Sequence, residues 1–392
     1  MTERIAAAFV PLVDCAVLVA ARELGFAAAE GLELVLVKEP SWASLRDHLN
    51  LGYVDCAHAL GPLPIASTLG VGQVQAEHVV PFVLSRGGNA ITVSRRLADE
   101  MREAAASPAL DIPAATGALD TPAAVGVALA AALRARQAPA TLGMTFPFSS
   151  HNFDLRYWLA SSGVDPDRDV RLVAIPPPLM VESLRAGHVD GFCVGEPWNS
   201  LAVAEGLGEI VATKSRLFPH SVEKVLAVRA PLEERLDQLG PLLRALAAAA
   251  QWCDEPLNHR ELASRLARPE YLGTSAELVE AALNGHVLGI AADPAFLLFH
   301  RGAASVPRPE DSLWIYAQMA RWGQLAPSAT AQAAAARVFR SDLLARYVGV
   351  PSTPAPRCVP FDGIELDARD VEGYLARFEI RTRFAAGPSA NV

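Results

Sequence analysis

The sequence lacks the cysteine pairs that would build a disulfide framework or a structural zinc site. Its five cysteines are widely spaced and form no CxxC pair, which is typical of buried reduced thiols. The nine histidines show no HExxH or similar metal-ligand spacing. The cysteines are Cys15, Cys56, Cys193, Cys253 and Cys358. We therefore predict neither a metal nor a cofactor.

Positive charge is scarce as well, because 34 lysine and arginine residues stand against 43 acidic ones and the formal net charge is -9. No run of basic residues interleaves with aromatic ones, which disfavours direct nucleic-acid binding through a basic face. A site for an anion must therefore create its own local positive potential.

Long uninterrupted apolar runs are also missing. Pro11 and Asp14 break the apolar stretch near the start, unlike a secretory signal, and no segment reaches the roughly 18 apolar residues of a membrane span. A hydrophobic content of 51% and a charged content of 20% nevertheless exclude a disordered chain. We expect a soluble, cytoplasmic protein with no membrane partner.

What is present is an alternation of strands and helices. Short β-type runs alternate with helical ones from IAAAFV to AEHVVPFVL, and the alternation resumes from ATLGMTF to EIVAT, as in parallel βαβ units. LRDHLNLGYVDCAHALGP and MVESLRAGHVDGFCVGEP both contain a helix, then Gly-x-Val-Asp, then an apolar strand. This internal echo indicates two related lobes.

The domain organisation follows from the same pattern. A chain of 392 residues is long for a single core, and the part after the second α/β unit is mostly helical. We predict a discontinuous lobe one, residues 1–86 and 226–392 with the C-terminal helices, and a lobe two of residues 87–225. The fold class is α/β with doubly wound sheets.

Several motifs resemble one known family. They include EPSWASLRD, GNAITVS, RYWL, DGFCVGEPWN and EKVLAVR, and together they are similar to the nitrate-binding and bicarbonate-binding receptors of ABC uptake systems. The resemblance implies a two-lobed, periplasmic-binding-protein-like fold of type II, with a small anion in the cleft between the lobes. It also implies a binding protein and not an enzyme.

The absence of an export signal makes the chain more similar to the cytoplasmic branch of that family, the NasS-type nitrate and nitrite sensors. This branch implies a protein that controls nitrate assimilation genes. It would hold an RNA-binding antiterminator protein when empty and release it on anion binding. The alternative is a substrate-binding receptor of a nitrate or bicarbonate ABC transporter. An enzyme is disfavoured, because no cysteine cluster, Ser-His-Asp arrangement or paired carboxylates are evident from spacing.

The resemblance further implies the residues of the anion pocket, and it implies no catalytic residue. The predicted ligands are Trp42 of EPSWA, Asn89 before AITVS, His151 at the head of the RYWL helix, Gly195 of VGEPW and Lys224 of EKV. Asn89 departs from the longer glutamine that the transport receptors usually have, which affects pocket depth and anion preference.

This set of residues suits nitrate, which is planar, carries one charge and only accepts hydrogen bonds. An amide, a ring N–H, a backbone N–H and an ammonium supply donors, whereas the hydroxyl of bicarbonate would need an acceptor. Each residue also has a structural reading: Trp42 as a helix-start staple, Asn89 in a turn, His151 in a solvated first turn, and Lys224 on the surface.

Three neighbours are predicted to support the ligands without touching the anion. Ser41 precedes Trp42 at a helix start, and Ser150 is one of two serines that can cap the helix of His151. Glu196 would be repelled by an anion, so it is expected either to cap its own helix or to pair with a cation such as Lys224.

Overall fold

The computed structural model of the protein describes residues 3–72, 74–107, 121–229, 236–349 and 356–382. Its strands form one sheet of six strands and one of five. The strands are β1 (Glu3–Phe9), β2 (Leu32–Lys38), β3 (Cys56–Leu60), β4 (His78–Gly87), β5 (Asn89–Ser94), β6 (Ala140–Met144), β7 (Val170–Ala174), β8 (Gly191–Gly195), β9 (Gly208–Thr213), β10 (Val222–Arg229) and β11 (Leu297–Leu298).

Helices follow most of the strands and then dominate the C-terminal part. Those up to the end of the second sheet are α1 (Ala16–Glu23), α2 (Phe26–Ala29), α3 (Trp42–Leu51), α4 (Pro62–Leu69), α5 (Arg95–Ala105), α6 (Pro122–Ala135), α7 (Ser150–Ser161), α8 (Met180–Arg185), α9 (Trp198–Ala204) and α10 (Lys214–Leu217). The later ones are α11 (Leu236–Cys253), α12 (His259–Leu266), α13 (Ala276–Leu283), α14 (Pro309–Arg321), α15 (Ala329–Val338), α16 (Ser341–Tyr347) and α17 (Val371–Ala376). Within the described ranges, no helix combines the length and apolar character that crossing a membrane requires.

The first sheet has the strand order β11-β4-β10-β3-β1-β2. Strands β2, β1 and β3 are parallel neighbours, while β10 runs antiparallel between β3 and β4. Helix α11 packs on α1, and α15 packs on α4. The late strand β10 therefore enters the middle of a sheet whose other main strands come from the first 87 residues.

The second sheet has the order β7-β6-β8-β5-β9. Strands β7, β6 and β8 are parallel neighbours, and β5 runs antiparallel between β8 and β9. Both sheets thus combine a parallel βαβ part with an internal antiparallel strand, β10 or β5, that the chain inserts after crossing from the other sheet. The predicted α/β class with two lobes is confirmed.

The chain crosses between the sheets through a pair of glycines. Gly87 and Gly88 have φ of 72° and 82°, and a Cβ on Gly87 would lie 2.2 Å from the carbonyl oxygen of Phe296. Only glycine tolerates this combination of backbone angle and close approach. On the return, β10 begins at Val222 and lies wholly in the first sheet, earlier than the predicted boundary at 225. The lobe limits therefore stay predictions.

The Gly-x-Val-Asp echo corresponds to matching contacts in the two sheets. The carboxylate of Asp55 accepts a hydrogen bond from the backbone N–H of Ala6 at 2.9 Å, and that of Asp190 accepts one from Thr141 at 2.9 Å. Each aspartate also donates its own backbone N–H to the same neighbouring residue, at 2.9 and 2.7 Å. The repeat therefore fixes the start of one strand against its neighbour in each lobe.

Candidate functional site

Trp42 forms one wall of a buried site between the lobes. The hydroxyl of Ser41 accepts a hydrogen bond from the backbone N–H of Ser44 at 3.2 Å and so caps α3, which starts at Trp42. The Trp42 side chain is 1% exposed, and its Nε1–H has no hydrogen-bond partner among the described residues. The Nζ of Lys224 lies 5.6 Å from the ring centroid, and the ring of His58 lies 5.9 Å away.

Asn89 and Gly195 face the site from neighbouring strands of the second sheet. They are paired across β5 and β8, and Asn89 is 1% exposed. Neither the amide nitrogen nor the amide oxygen of Asn89 has a partner within the described part of the chain. A methyl group on Gly195 would lie 3.3 Å from Oδ1 of Asn89 and 3.6 Å from Oδ2 of Asp14. The absent side chain therefore leaves a gap between the two lobes.

His151 reaches the site from the first turn of α7. Ser149 caps this helix by accepting a hydrogen bond from the backbone N–H of Asn152 at 3.0 Å. Nδ1 of His151 lies 3.1 Å from Oγ1 of Thr145, and Nε2 lies 3.6 Å from Oε1 of Glu223. Burial lowers the pKa of His151 to about 3, so the ring is neutral. If Thr145 donates to Nδ1, the proton sits on Nε2 as a donor facing the site.

Lys224 supplies the cation, but not as an unpaired group. Its Nζ lies 2.8 Å from Oδ2 of Asp14 and 2.8 Å from Oε1 of Glu223. Burial lowers the pKa of Lys224, but the two carboxylates outweigh it and the pKa is raised above its usual value. Burial likewise opposes ionisation of Asp14, yet Lys224 and His58 hold the pKa of this carboxyl below its usual value. All of these groups are fully or almost fully buried.

The contacts continue from Glu223 into the second lobe. Oε2 of Glu223 lies 3.0 Å from Nζ of Lys214, whose Nζ also lies 2.8 Å from Oδ2 of Asp154. The sequence contains three lysines, at 38, 214 and 224, so the two buried ones both belong to this site. We name the alternating series the charge chain, and its members are Asp14, Lys224, Glu223, Lys214 and Asp154.

The neighbours predicted to support the ligands are placed as follows. Ser150 donates a hydrogen bond to Oε2 of Glu223, which ties α7 to β10. Oε2 of Glu196 accepts a hydrogen bond from the backbone N–H of Ser200 at 3.1 Å. Burial raises the pKa of Glu196 to about 7. Of its two predicted roles, Glu196 therefore shows the helix-capping one, and no described contact joins it to Lys224.

The predicted ligands all come together, and sequence reasoning missed the ionisable groups between them. Asp14 was visible as an acidic residue inside an apolar stretch, and Glu223 as the direct neighbour of Lys224. Ionised groups are rarely fully buried unless they are paired, so these apolar contexts were a usable signal. Nothing local in the sequence marks His58, whose Nε2 lies 2.9 Å from Oδ1 of Asp14.

Direct contacts close the lobes around the site. The backbone N–H of Val13 donates to the carbonyl of Glu196 at 2.8 Å, and Nε1–H of Trp198 donates to the carbonyl of Pro11 at 3.2 Å. These bonds join the segment after β1 to the segment after β8. The site is therefore enclosed by both lobes, and a ligand must enter when they separate.

A separate cavity of about 320 Å³ lies near the start of β10 and contains none of the predicted ligands. It is lined by Val222, Trp314, Ile315, Arg308 and Leu366, among others. Trp314 and Ile315 of this lining lie on α14, Arg308 directly precedes that helix, and Leu366 lies between α16 and α17. The convergent buried donors, and not this cavity, stay the predicted anion site, because the volume of the cavity alone does not indicate anion chemistry.

The gap at Gly195 leads to a first prediction. Gly195→Ala is expected to weaken anion binding about tenfold or more, because the new methyl group would stand between Asn89 and Asp14, in the space that an anion held by the Asn89 amide needs, and about 1.4 kcal/mol of lost binding energy is tenfold in affinity. Gly143→Ala is the matched control, since its Cβ would meet neighbours at 3.2 Å in the same sheet. Calorimetry should show weaker binding in the first variant only. Equal affinities in both would contradict the placement of Gly195.

Comparison with known proteins agrees with this geometry. The profile of the NMT1-like family matches residues 2–267. The chain belongs to the NMT1-like family. Among curated relatives of this NMT1-like chain, the nitrate import ATP-binding protein NrtC of Synechocystis sp. is 38% identical over 391 residues. That match covers 95% of this chain but 54% of NrtC, so the chain spans just over half the length of that relative.

Some other relatives match over most of their own length. The nitrate/nitrite binding protein NrtA of Synechococcus elongatus is 32% identical over 94% of this chain and 84% of NrtA. The crystal structure of the periplasmic nitrate-binding protein NrtA from Synechocystis PCC 6803 superposes with a TM-score of 0.85. It shares 27% sequence identity and covers 97% of this chain and 99% of that chain.

Two predictions are confirmed by this similarity. The NMT1-like chain has the two-lobed, periplasmic-binding-protein-like α/β fold, because it superposes on NrtA over nearly its whole length. It is a binding protein and not an enzyme, because relatives matched over most of their own length are binding proteins.

Proposed function

We propose that this protein binds nitrate or nitrite between its lobes, as the anion-binding component of an ABC uptake system. One observation carries the proposal: Nε1–H of Trp42, the amide of Asn89 and Nε2 of His151 converge around Lys224 without partners among the described residues. Buried polar groups are nearly always hydrogen-bonded. A ligand that only accepts hydrogen bonds would satisfy these donors.

The carboxylates of the site favour nitrate and nitrite over bicarbonate. The hydroxyl of bicarbonate needs an acceptor, and the nearest acidic groups are Asp14 and Glu223. Each of their four oxygens already lies within 2.8–3.0 Å of a donor nitrogen, supplied by His58, Lys224 or Lys214. A bicarbonate hydroxyl would have to displace one of these donors or use Oδ1 of Asn89, the acceptor without a partner among the described residues, whereas nitrate requires no acceptor.

The donors of the site come from both lobes, so binding of the anion is coupled to closure of the lobes. Trp42 and Lys224 belong to the first lobe, and Asn89 and His151 belong to the second. An anion bridging both sets stabilises the closed arrangement over the open one by its difference in affinity. NrtA, named as a nitrate/nitrite binding protein, supports a receptor that delivers its anion to a transporter.

A sensor role is a second proposal, and it uses the same closure. Contacts such as that of Val13 with Glu196 exist only when the lobes meet, so the surface around them differs between empty and occupied forms. An antiterminator-type partner in the cytoplasm would then bind the anion-free chain. The test is co-elution with such a protein, which nitrate should disrupt and chloride should not.

Thermal unfolding tests the binding proposal directly. Extensively dialysed protein is heated with nitrate, nitrite, bicarbonate, sulfate or chloride at equal ionic strength. A ligand that binds only the folded state adds about 2.7 kcal/mol of stability at one hundred times its Kd. We expect nitrate or nitrite to raise the midpoint and the other anions to leave it unchanged. A rise with bicarbonate alone, or with none of the anions, would overturn the proposal.

A further inference from the structure

The charge chain defined above links the anion site to a buried carboxylate in the second lobe. Successive members are separated by 2.8 Å (Asp14 to Lys224), 2.8 Å (Lys224 to Glu223), 3.0 Å (Glu223 to Lys214) and 2.8 Å (Lys214 to Asp154). Every side chain in it is 3% exposed or less. Such a chain transmits a change of charge at one end to the other, because each ion shares its partner with the next.

The charge chain has no positive charge to spare for an anion. Its three carboxylates outnumber its two ammonium groups, which leaves one net negative charge when all are ionised. The nearby His151 and His58 do not compensate, since burial lowers the pKa of each ring despite the neighbouring carboxylates. A bound nitrate adds a second negative charge in a buried place, which is unfavourable unless another charge changes.

Asp154, at the far end of the charge chain, is the member best suited to make that change. It shares Lys214 with Glu223, and its Oδ1 has no hydrogen-bond partner among the residues that the structure describes. Burial raises its pKa to about 6 against the opposing effect of Lys214. By contrast, lysine neighbours overcome burial and hold the pKa of Glu223 well below its usual value.

We propose that anion binding beside Lys224 is coupled to the uptake of one proton by Asp154. The anion competes with Glu223 for the ammonium of Lys224, so Glu223 interacts more strongly with Lys214. Asp154 then loses part of its only described cationic contact and takes a proton from solvent onto its carboxylate. One negative charge enters with the anion and one is removed at Asp154, so the net charge of the buried groups is unchanged. This inference rests on the proposed anion-binding function.

The groups that surround Asp154 and the anion site come from elements of both lobes. Asp154 and His151 lie on α7, Lys214 begins α10, and Glu223 and Lys224 lie on β10. The other titratable groups facing the charge chain are His58, Cys193 and Cys358, and burial raises the pKa of both thiols above the usual value.

The coupling has a defined pH dependence. Above about pH 6, Asp154 of the free protein is mostly ionised, and binding must bring a proton with it. Nitrate affinity therefore rises as the pH falls toward about 6 and levels off below it, where Asp154 is already protonated in the free protein.

Calorimetric titration with sodium nitrate, in two buffers of different ionisation enthalpy at neutral pH, counts the protons taken up. We expect between about half and one proton per nitrate for the unmodified protein, and close to none for Asp154→Asn, which should still bind nitrate. Asp342→Asn is the matched control, because this carboxylate is 65% exposed and pairs with Arg340 away from the charge chain. It should retain the full proton uptake.

Each other outcome has a distinct meaning. No nitrate heat in the unmodified protein would contradict the anion-binding function itself. Nitrate binding without any buffer dependence would overturn the coupling and leave the binding function intact. Proton uptake that persists in Asp154→Asn but disappears in Glu196→Gln would also overturn the proposal, because burial raises the pKa of Glu196 too, to about 7.

Discussion

Lys224→Met is expected to weaken nitrate binding at least about a hundredfold and to abolish nitrate-induced thermal stabilisation. The ammonium of Lys224 lies over the Trp42 ring and next to Asp14 and Glu223. A hydrogen bond to a charged group contributes about 1.5–3 kcal/mol, and each 1.4 kcal/mol changes affinity about tenfold. Removing the cation also leaves the carboxylates to repel the incoming anion. Calorimetric titration with nitrate measures the loss.

The control is Lys38→Met, which makes the same chemical change at the third lysine of the chain. Lys38 is exposed and donates to the carbonyl of Pro269, so its loss should leave nitrate affinity unchanged. Since unpaired Asp14 and Glu223 would destabilise Lys224→Met by about 3–5 kcal/mol, the double variant with Asp14→Asn restores the balance of charge. If Lys224→Met or its double variant with Asp14→Asn bound nitrate within threefold of the unmodified protein, Lys224 would not belong to the site.

The fate of Lys224 also shows what local sequence patterns can and cannot predict. Alternating apolar runs gave both sheets, because strand periodicity depends on neighbours along the chain. The environment of Lys224 depends instead on Asp14, which follows β1 and is brought near by the pairing of β10 with β3 and of β3 with β1. In isolation, a lysine near the start of a strand reads as exposed. In the folded protein Lys224 is instead fully buried between the two lobes.

The burial of Glu223 is a second feature that local sequence patterns could not predict. Adjacent strand residues point to opposite faces, so a Glu-Lys pair normally predicts one solvent-facing side chain. Here both side chains are 0% exposed, because the second lobe covers the side that a single sheet would leave open. Ser150 and Lys214 of that lobe contact Glu223. Resemblance predicted the candidate anion ligands, whereas the carboxylates that pair with Lys224 required the folded structure.

The arginine that joins the two crossovers to the C-terminal helices gives an expected loss of stability comparable to that of Lys224→Met. Arg86→Met should lower the free energy of unfolding by about 3 kcal/mol or more, because three buried or partly buried carbonyl oxygens each lose a hydrogen bond at about 1–3 kcal/mol, although Asp311 keeps its pairing with Arg308. Arg86 is 2% exposed. Its guanidinium donates to the carbonyls of Ala304, Val306 and His220 at 2.7–2.9 Å and to the carboxylate of Asp311 at 2.9 Å.

The position of Arg86 explains why this loss should also affect binding. Arg86 stands on β4 just before the glycine crossover, and His220 lies just before β10 on the return. The side chain therefore ties both connections between the lobes to the loop of Ala304 and to helix α14. Without Arg86, the two connections between the lobes are held less firmly, so the closed arrangement that binds nitrate should be less stable. Nitrate affinity should therefore fall, but by a smaller factor than in Lys224→Met.

Urea unfolding followed by circular dichroism measures the change, with Arg244→Met as the control. Arg244 is 44% exposed and pairs with Glu30 at the surface, where a salt bridge contributes about 0–1 kcal/mol. Its midpoint should therefore hardly move. If Arg86→Met unfolded at the same urea concentration as Arg244→Met, the contacts of Arg86 with the crossovers and with α14 would not contribute the predicted stability.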